Sequence, residues 1–130
     1  TRTIVMGRSL GSGVAIYLAA QRPVLAVILV TPYDSMTAVA QGKYPFVPVS
    51  LLLRHPFDSY SRAPSIKAPM LALVAQYDTL IPPAHAHRLI ARWGGRSNTV
   101  LLEGADHDNI NFPERYWPAI ADFLKRQNVP

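Results

Sequence analysis

The chain has 130 residues, 49% of them hydrophobic and 16% charged, with a formal net charge of +5. That length sets one domain as the prior, and so apolar a composition excludes an intrinsically disordered chain. Twelve prolines and seven glycines follow no short period, and cysteine is absent, which excludes collagen, disulfides and thiolate-bound metal. The longest apolar run, Val24 to Val30, is far short of the roughly 20 residues of a membrane span, so no membrane segment is expected in this chain. The arginines are scattered. Their nearest cluster, Arg88, Arg92 and Arg96, reads as one solvated helix stripe, and no nucleic-acid partner is expected. Localisation is not encoded here, with the cytoplasm as the default.

Thr3 to Met6 reads as a short apolar strand running straight into Gly7. From Gly11 to Gln21 the spacing of Val14, Tyr17 and Leu18, with Ala15, Ala19 and Ala20 between, predicts a helix. Pro23 closes it. Val24 to Val30 is continuously apolar, as a strand buried on both faces of a parallel sheet would be. Residues 33–68 are broken by Pro45, Pro48, Pro56 and Pro64 and read as short helices and loops, an apolar, cap-like segment. Met70 to Ala75 is a second buried strand, and Pro82 and Pro83 suit the first turn of a helix continuing to Trp93. Thr99 to Leu102 is a further strand, and Pro113 opens a last helix with Trp117, Ile120, Ala121 and Leu124 as its apolar face. The alternation predicts an α/β fold, a parallel sheet with helices on both faces.

Gly7-Arg8-Ser9-Leu10-Gly11 fits G-x-S-x-G between a strand and a helix, the setting of a nucleophile elbow. In so tight a turn the residues flanking the serine must be small, a need that Gly7 and Gly11 meet; Gly13 would let the helix lie close to neighbouring backbone. The turn also aims the Leu10 N–H toward any anion forming at Ser9. Ser9 could instead be a plain helix N-cap.

A serine hydroxyl needs a base. Of four histidines, His107 lies in a short polar loop after a strand, where Asp106 and Asp108 would shape the loop; it could also be simply solvated. His85 and His87 fall on a helix, two positions apart and so on different faces, a poor metal pair. His55 precedes Pro56, and all three read as surface or packing residues. An acid must hold the base's tautomer. Asp78 follows the Met70–Ala75 strand at its carboxyl end, where α/β sheets place their sites. Asp34, also after a buried strand, is the alternative acid.

The chain order Ser9, Asp78, His107 is that of the α/β-hydrolase nucleophile, acid and base. The segments from Gly7 to Gly13, Tyr77 to Pro82 and Gly104 to Asp108 resemble the elbow, acid loop and histidine loop of α/β hydrolases. With Arg54-His55-Pro56-Phe57-Asp58-Ser59, the sequence is most similar to the Bem46-like, serine-aminopeptidase-like group. The resemblance spans residues 1–130 and implies a serine hydrolase of ester, thioester or amide bonds acting on a small acyl substrate without cofactor or metal. It also implies that the chain is the C-terminal half of the fold. The other half normally supplies a second oxyanion donor and the strands beside Thr3 to Met6, so a fragment is expected. The alternative is a non-catalytic module that associates through an open sheet edge. Tyr44 to Phe57 would serve as pocket wall or cap in the first reading, contact surface in the second, or ordinary packing in either.

Overall fold

The structure, a computed structural model, describes residues 2–111 and 113–128; Thr1, Phe112, Val129 and Pro130 lie outside the described residues. Four parallel strands, β1 (Ile4–Arg8), β2 (Ala26–Val30), β3 (Met70–Ala75) and β4 (Ser97–Leu102), pair in the order β1-β2-β3-β4. The two central strands are buried at every residue, as their unbroken apolar sequences require of a sheet covered on both faces. β1 and β4 are the edges. Only Leu102 of β4 is fully buried, which explains why polar Ser97 and Asn98 can begin it.

Side chains alternate between the two faces of the sheet. Val5, Val27, Leu29, Met70 and Ala72 pack against α1 (Leu10–Gln21) and α5 (Pro83–Ala91), through Ala15, Ile16 and Leu89. Ile28, Val30, Leu71 and Leu73 meet Tyr116, Ile120 and Phe123 of α6 (Tyr116–Arg126) on the opposite face. The stretch between β2 and β3 holds three short helices, α2 (Met36–Lys43), α3 (Val49–Leu52) and α4 (Ser59–Arg62), and a 3-10 turn at Ala63–Ser65. Ser35 caps α2 and Asp58 caps α4, each side chain accepting a backbone N–H.

Two helix faces differ from the periodicity reading. Val14, Tyr17 and Leu18 of α1 are exposed, while Ser12, Gly13, Ala15, Ile16 and Ala19 face the protein. The helix is apolar nearly all round, so spacing alone does not choose a face; close approach to the sheet selects the small residues. In α6, Trp117 and Ala121 point outward, and Tyr116 and Phe123 take the inner face with Ile120. Trp117 packs edge-on against Tyr116, with ring centroids 4.9 Å apart.

Arg88, Arg92 and Arg96 are all exposed, but only Arg88 lies within α5. Arg88 is ion-paired to Asp34, and Arg92 lies over the Tyr60 ring, 5.0 Å from its centroid. Arg88 and Arg92 have partners that the sequence places far away.

Candidate active site

β1 ends at Arg8 and α1 begins at Leu10, so the chain reverses within the single residue Ser9. Ser9 takes φ 54° and ψ −122°, a strained conformation for a residue with a side chain. Neighbouring groups hold it there. Its N–H donates to Val30 O at 2.8 Å, and its carbonyl accepts the N–H and the hydroxyl of Ser12 at 2.9 and 2.7 Å. The side chain makes no capping bond to α1, contrary to the N-cap reading.

The elbow glycines are not equivalent. A Cβ on Gly7 would overlap the Gly11 carbonyl oxygen and fall 2.8 Å from the Ala15 Cβ. Among the described residues, one on Gly11 would meet nothing within 4 Å. At Gly13 the close neighbour is a side chain and not backbone: a Cβ would lie 2.5 Å from the Tyr33 hydroxyl. That hydroxyl donates to Leu10 O at 3.3 Å, pinning the first turn of α1 to the end of β2. Burial pushes the Tyr33 phenol up to about 12.

Ser9 Oγ lies 2.9 Å from His107 Nε2, and His107 Nδ1 lies 2.8 Å from Asp78 Oδ2. Asp78 is buried, its Oδ1 accepting the N–H groups of Leu80 and Ile81 at 3.0 and 2.8 Å. Those two bonds fix the carboxylate before it meets the imidazole. A carboxylate at Nδ1 accepts and does not donate, so the ring proton sits on Nδ1 and Nε2 presents a lone pair to the serine hydroxyl. The acid and histidine loops are stitched together: Tyr77 N–H donates to Ala105 O at 2.8 Å, and Gly104 N–H to Gln76 Oε1 at 2.9 Å. Asp106 Oδ1 accepts the N–H groups of Asp108 and Asn109, closing the turn that carries His107.

Arg8 was not singled out by sequence reasoning. Its Nη2 donates to the His107 and Asp108 carbonyls at 3.1 and 3.4 Å, bridging the elbow strand to the histidine loop. It occupies a variable position of G-x-S-x-G, which carries no signal.

Asp34 makes no hydrogen bond to His107 among the described residues. It is buried in a separate cluster, accepting Ser35 N–H at 2.9 Å and Arg88 Nε at 2.8 Å, with His85 Nδ1 2.9 Å from its Oδ1 and 2.8 Å from Arg88 Nη2. His85 is thus a buried, bonded residue, whereas His55 and His87 are exposed. Among the described residues no group of three or more His, Cys, Asp or Glu could hold a metal ion. A cavity of about 270 Å³ opens beside α1, lined in part by Val14, Tyr17, Pro56 and Phe57.

A parallel sheet with a strained serine turn at one strand end, facing a histidine and a carboxylate from later strand ends, defines an α/β-hydrolase fold. No family model matches the chain. Over 108 residues it is 33% identical to the Mycobacterium tuberculosis protein Rv2307c, covering 83% of this chain and 38% of that protein. It is 27% identical to the Arabidopsis thaliana alpha/beta hydrolase domain-containing protein WAV2 (97% of this chain, 47% of WAV2). With protein bem46 of Schizosaccharomyces pombe it shares 26% identity (99% of this chain, 45% of bem46). The chain therefore spans less than half the length of these relatives. Among solved structures, the Paleococcus ferrophilus monoacylglycerol lipase superposes with TM-score 0.72 at 20% identity, over 97% of this chain and 69% of that one. An acetyl xylan esterase from Paenibacillus sp. R4 gives 0.76 at 18% identity, over 95% and 44%. The chain has the α/β-hydrolase fold, and its sequence is similar to Bem46-like members of that superfamily.

Proposed function

We propose that this chain carries the nucleophile, base and acid of a serine hydrolase that cleaves ester, thioester or amide bonds of a small acyl substrate. Ser9 Oγ attacks the acyl carbonyl while His107 Nε2 takes its proton, and Asp78 holds the imidazole and stabilises its cationic form. The oxyanion is met by Leu10 N–H, one of the first-turn donors that a helix leaves without an internal partner. In α/β hydrolases a second donor normally comes from the loop after the third strand. His107 then protonates the leaving group, and water, deprotonated by the same imidazole, clears the acyl-enzyme. No metal or cofactor takes part in this scheme.

The observation that carries the reading is the continuous Ser9–His107–Asp78 hydrogen-bond chain, built on a serine in a strained conformation. A fluorophosphonate probe tests it, since only an activated serine reacts. The full-length protein should label, and its Ser9→Ala and His107→Ala variants should not. Labelling that survives Ser9→Ala would refute the assignment.

One observation favours a second reading, association through β1. β1 is an open edge, and Met6, Leu10, Val14 and Tyr17 beside it are about half exposed. Apolar edges of this kind favour pairing with another chain. An unlabelled protein that is oligomeric by light scattering would support that reading over hydrolysis.

A further inference from the structure

A second apolar surface lies away from the β1 edge. The turn and short helix from Tyr44 to Leu52 expose Tyr44, Phe46, Val47, Leu51 and Leu52; Phe46 is 99% exposed and Leu51 83%. Only Val49 of this tip points inward. Part of the tip's backbone is bonded within the tip. Gln41 Nε2 reaches the carbonyls of Tyr44, Pro45 and Val47, and the N–H groups of Val49, Leu51 and Leu53 donate to Val47, Pro48 and Val49. The tip therefore presents mainly apolar side chains, unlike β1, whose open edge suits another strand.

Charge selects the occupant. From Ser35 to Phe57 there is no Asp or Glu, and exposed Lys43 and Arg54 flank the tip in a chain of net charge +5. Apolar side chains rimmed by cations match a bilayer interface, which takes up apolar groups and whose anionic headgroups attract Lys and Arg. We infer that the Tyr44–Leu52 tip docks this protein on an anionic phospholipid surface. The tip also stands close to the site: α2 leads from the carboxyl end of β2, and Lys43 Nζ donates to Thr79 O, beside Asp78, at 3.1 Å. Docking would hold the Ser9 end of the sheet toward the lipid. It stands independently of the proposed hydrolysis, because binding needs neither Ser9 nor His107.

Sedimentation of the full-length protein with phosphatidylcholine vesicles, with and without phosphatidylserine, tests the inference. Binding should favour the phosphatidylserine vesicles and weaken with salt. Phe46→Ser with Leu51→Ser should weaken it more than about tenfold, from the apolar area left in water. Arg54→Gln should weaken binding to phosphatidylserine vesicles about fivefold, the share of one basic residue near the surface. The tip residues are exposed, so these variants should keep the wild-type circular dichroism. Val14→Ser with Leu18→Ser, on α1, should bind like wild type, and so should Ser9→Ala, whatever its hydrolytic activity. Absence of wild-type binding, or undiminished binding by the Phe46/Leu51 variant, would overturn the inference. So would a Phe46/Leu51 variant that changes only from dimer to monomer, which would identify the occupant as a second copy.

Discussion

Ser9 Oγ and His107 Nε2 are 2.9 Å apart although 98 positions separate them in the chain. The contact exists because β1 and β4 both end on the same side of the sheet and their following turns lean together. Since Ser9 Oγ makes no capping bond to α1, its removal should leave the fold intact. Ser9→Ala in the full-length protein should reduce kcat by about 10⁶, the scale found when a comparable serine is removed. Steady-state ester hydrolysis measures this, and a loss below tenfold would contradict the role given to Ser9.

The two buried aspartates should separate by what they affect. Asp78→Asn leaves the imidazole without its anionic partner at Nδ1, and kcat should fall by about 10⁴. Asp34→Asn weakens the bonds to His85 and Arg88. Because Arg88 is about half exposed, the loss should be about 2 kcal/mol of stability, with little effect on kcat. Urea denaturation and kinetics on both variants provide the comparison. The opposite pattern would make Asp34 the functional acid.

The elbow glycines give a sharper contrast. Gly7→Ala must displace the Gly11 carbonyl and Ala15, a backbone clash that no rotamer relieves. It should cost about 3 kcal/mol or more and abolish activity, since overpacking strain falls on the serine turn. Gly11→Ala meets open space inside a helix and should stabilise the protein by about 0.5–1 kcal/mol. Chemical denaturation of the two variants would settle the ranking.

These contrasts show what could be read without coordinates. The continuous apolar runs of β2 and β3 leave few other options for a chain this long, so the parallel sheet was legible. Ser9, Asp78 and His107 each follow a strand, and parallel strands bring such positions to one end; that is why spacing could single out three residues that the structure gathers. Side-chain partners across the sheet had no such signal. Asp34 finds His85 and Arg88 at separations of 51 and 54 positions, and neither arginine spacing nor helix periodicity encodes the match. The face of α1 was also illegible, because a helix apolar on all sides is oriented by its neighbours and not by its own period.

Tyr33 provides a test by pH. It is fully buried, with its hydroxyl on Leu10 O and its ring packed near Phe57, and burial raises its phenol from 10.0 to about 12. A raised pKa means that the folded state keeps the proton more tightly than the unfolded state does. The stability associated with it is therefore complete below pH 10 and is lost as pH rises toward 12. The full loss corresponds to about 3 kcal/mol for two pH units. Tyr33→Phe removes the titrating group while keeping the ring, at a cost of about 1 kcal/mol for the hydrogen bond to Leu10. Urea denaturation across the alkaline range should thus show a weaker pH dependence in Tyr33→Phe than in the wild type. Parallel curves would mean that the hydroxyl ionises without resistance from the fold, and that the first turn of α1 is held by other contacts.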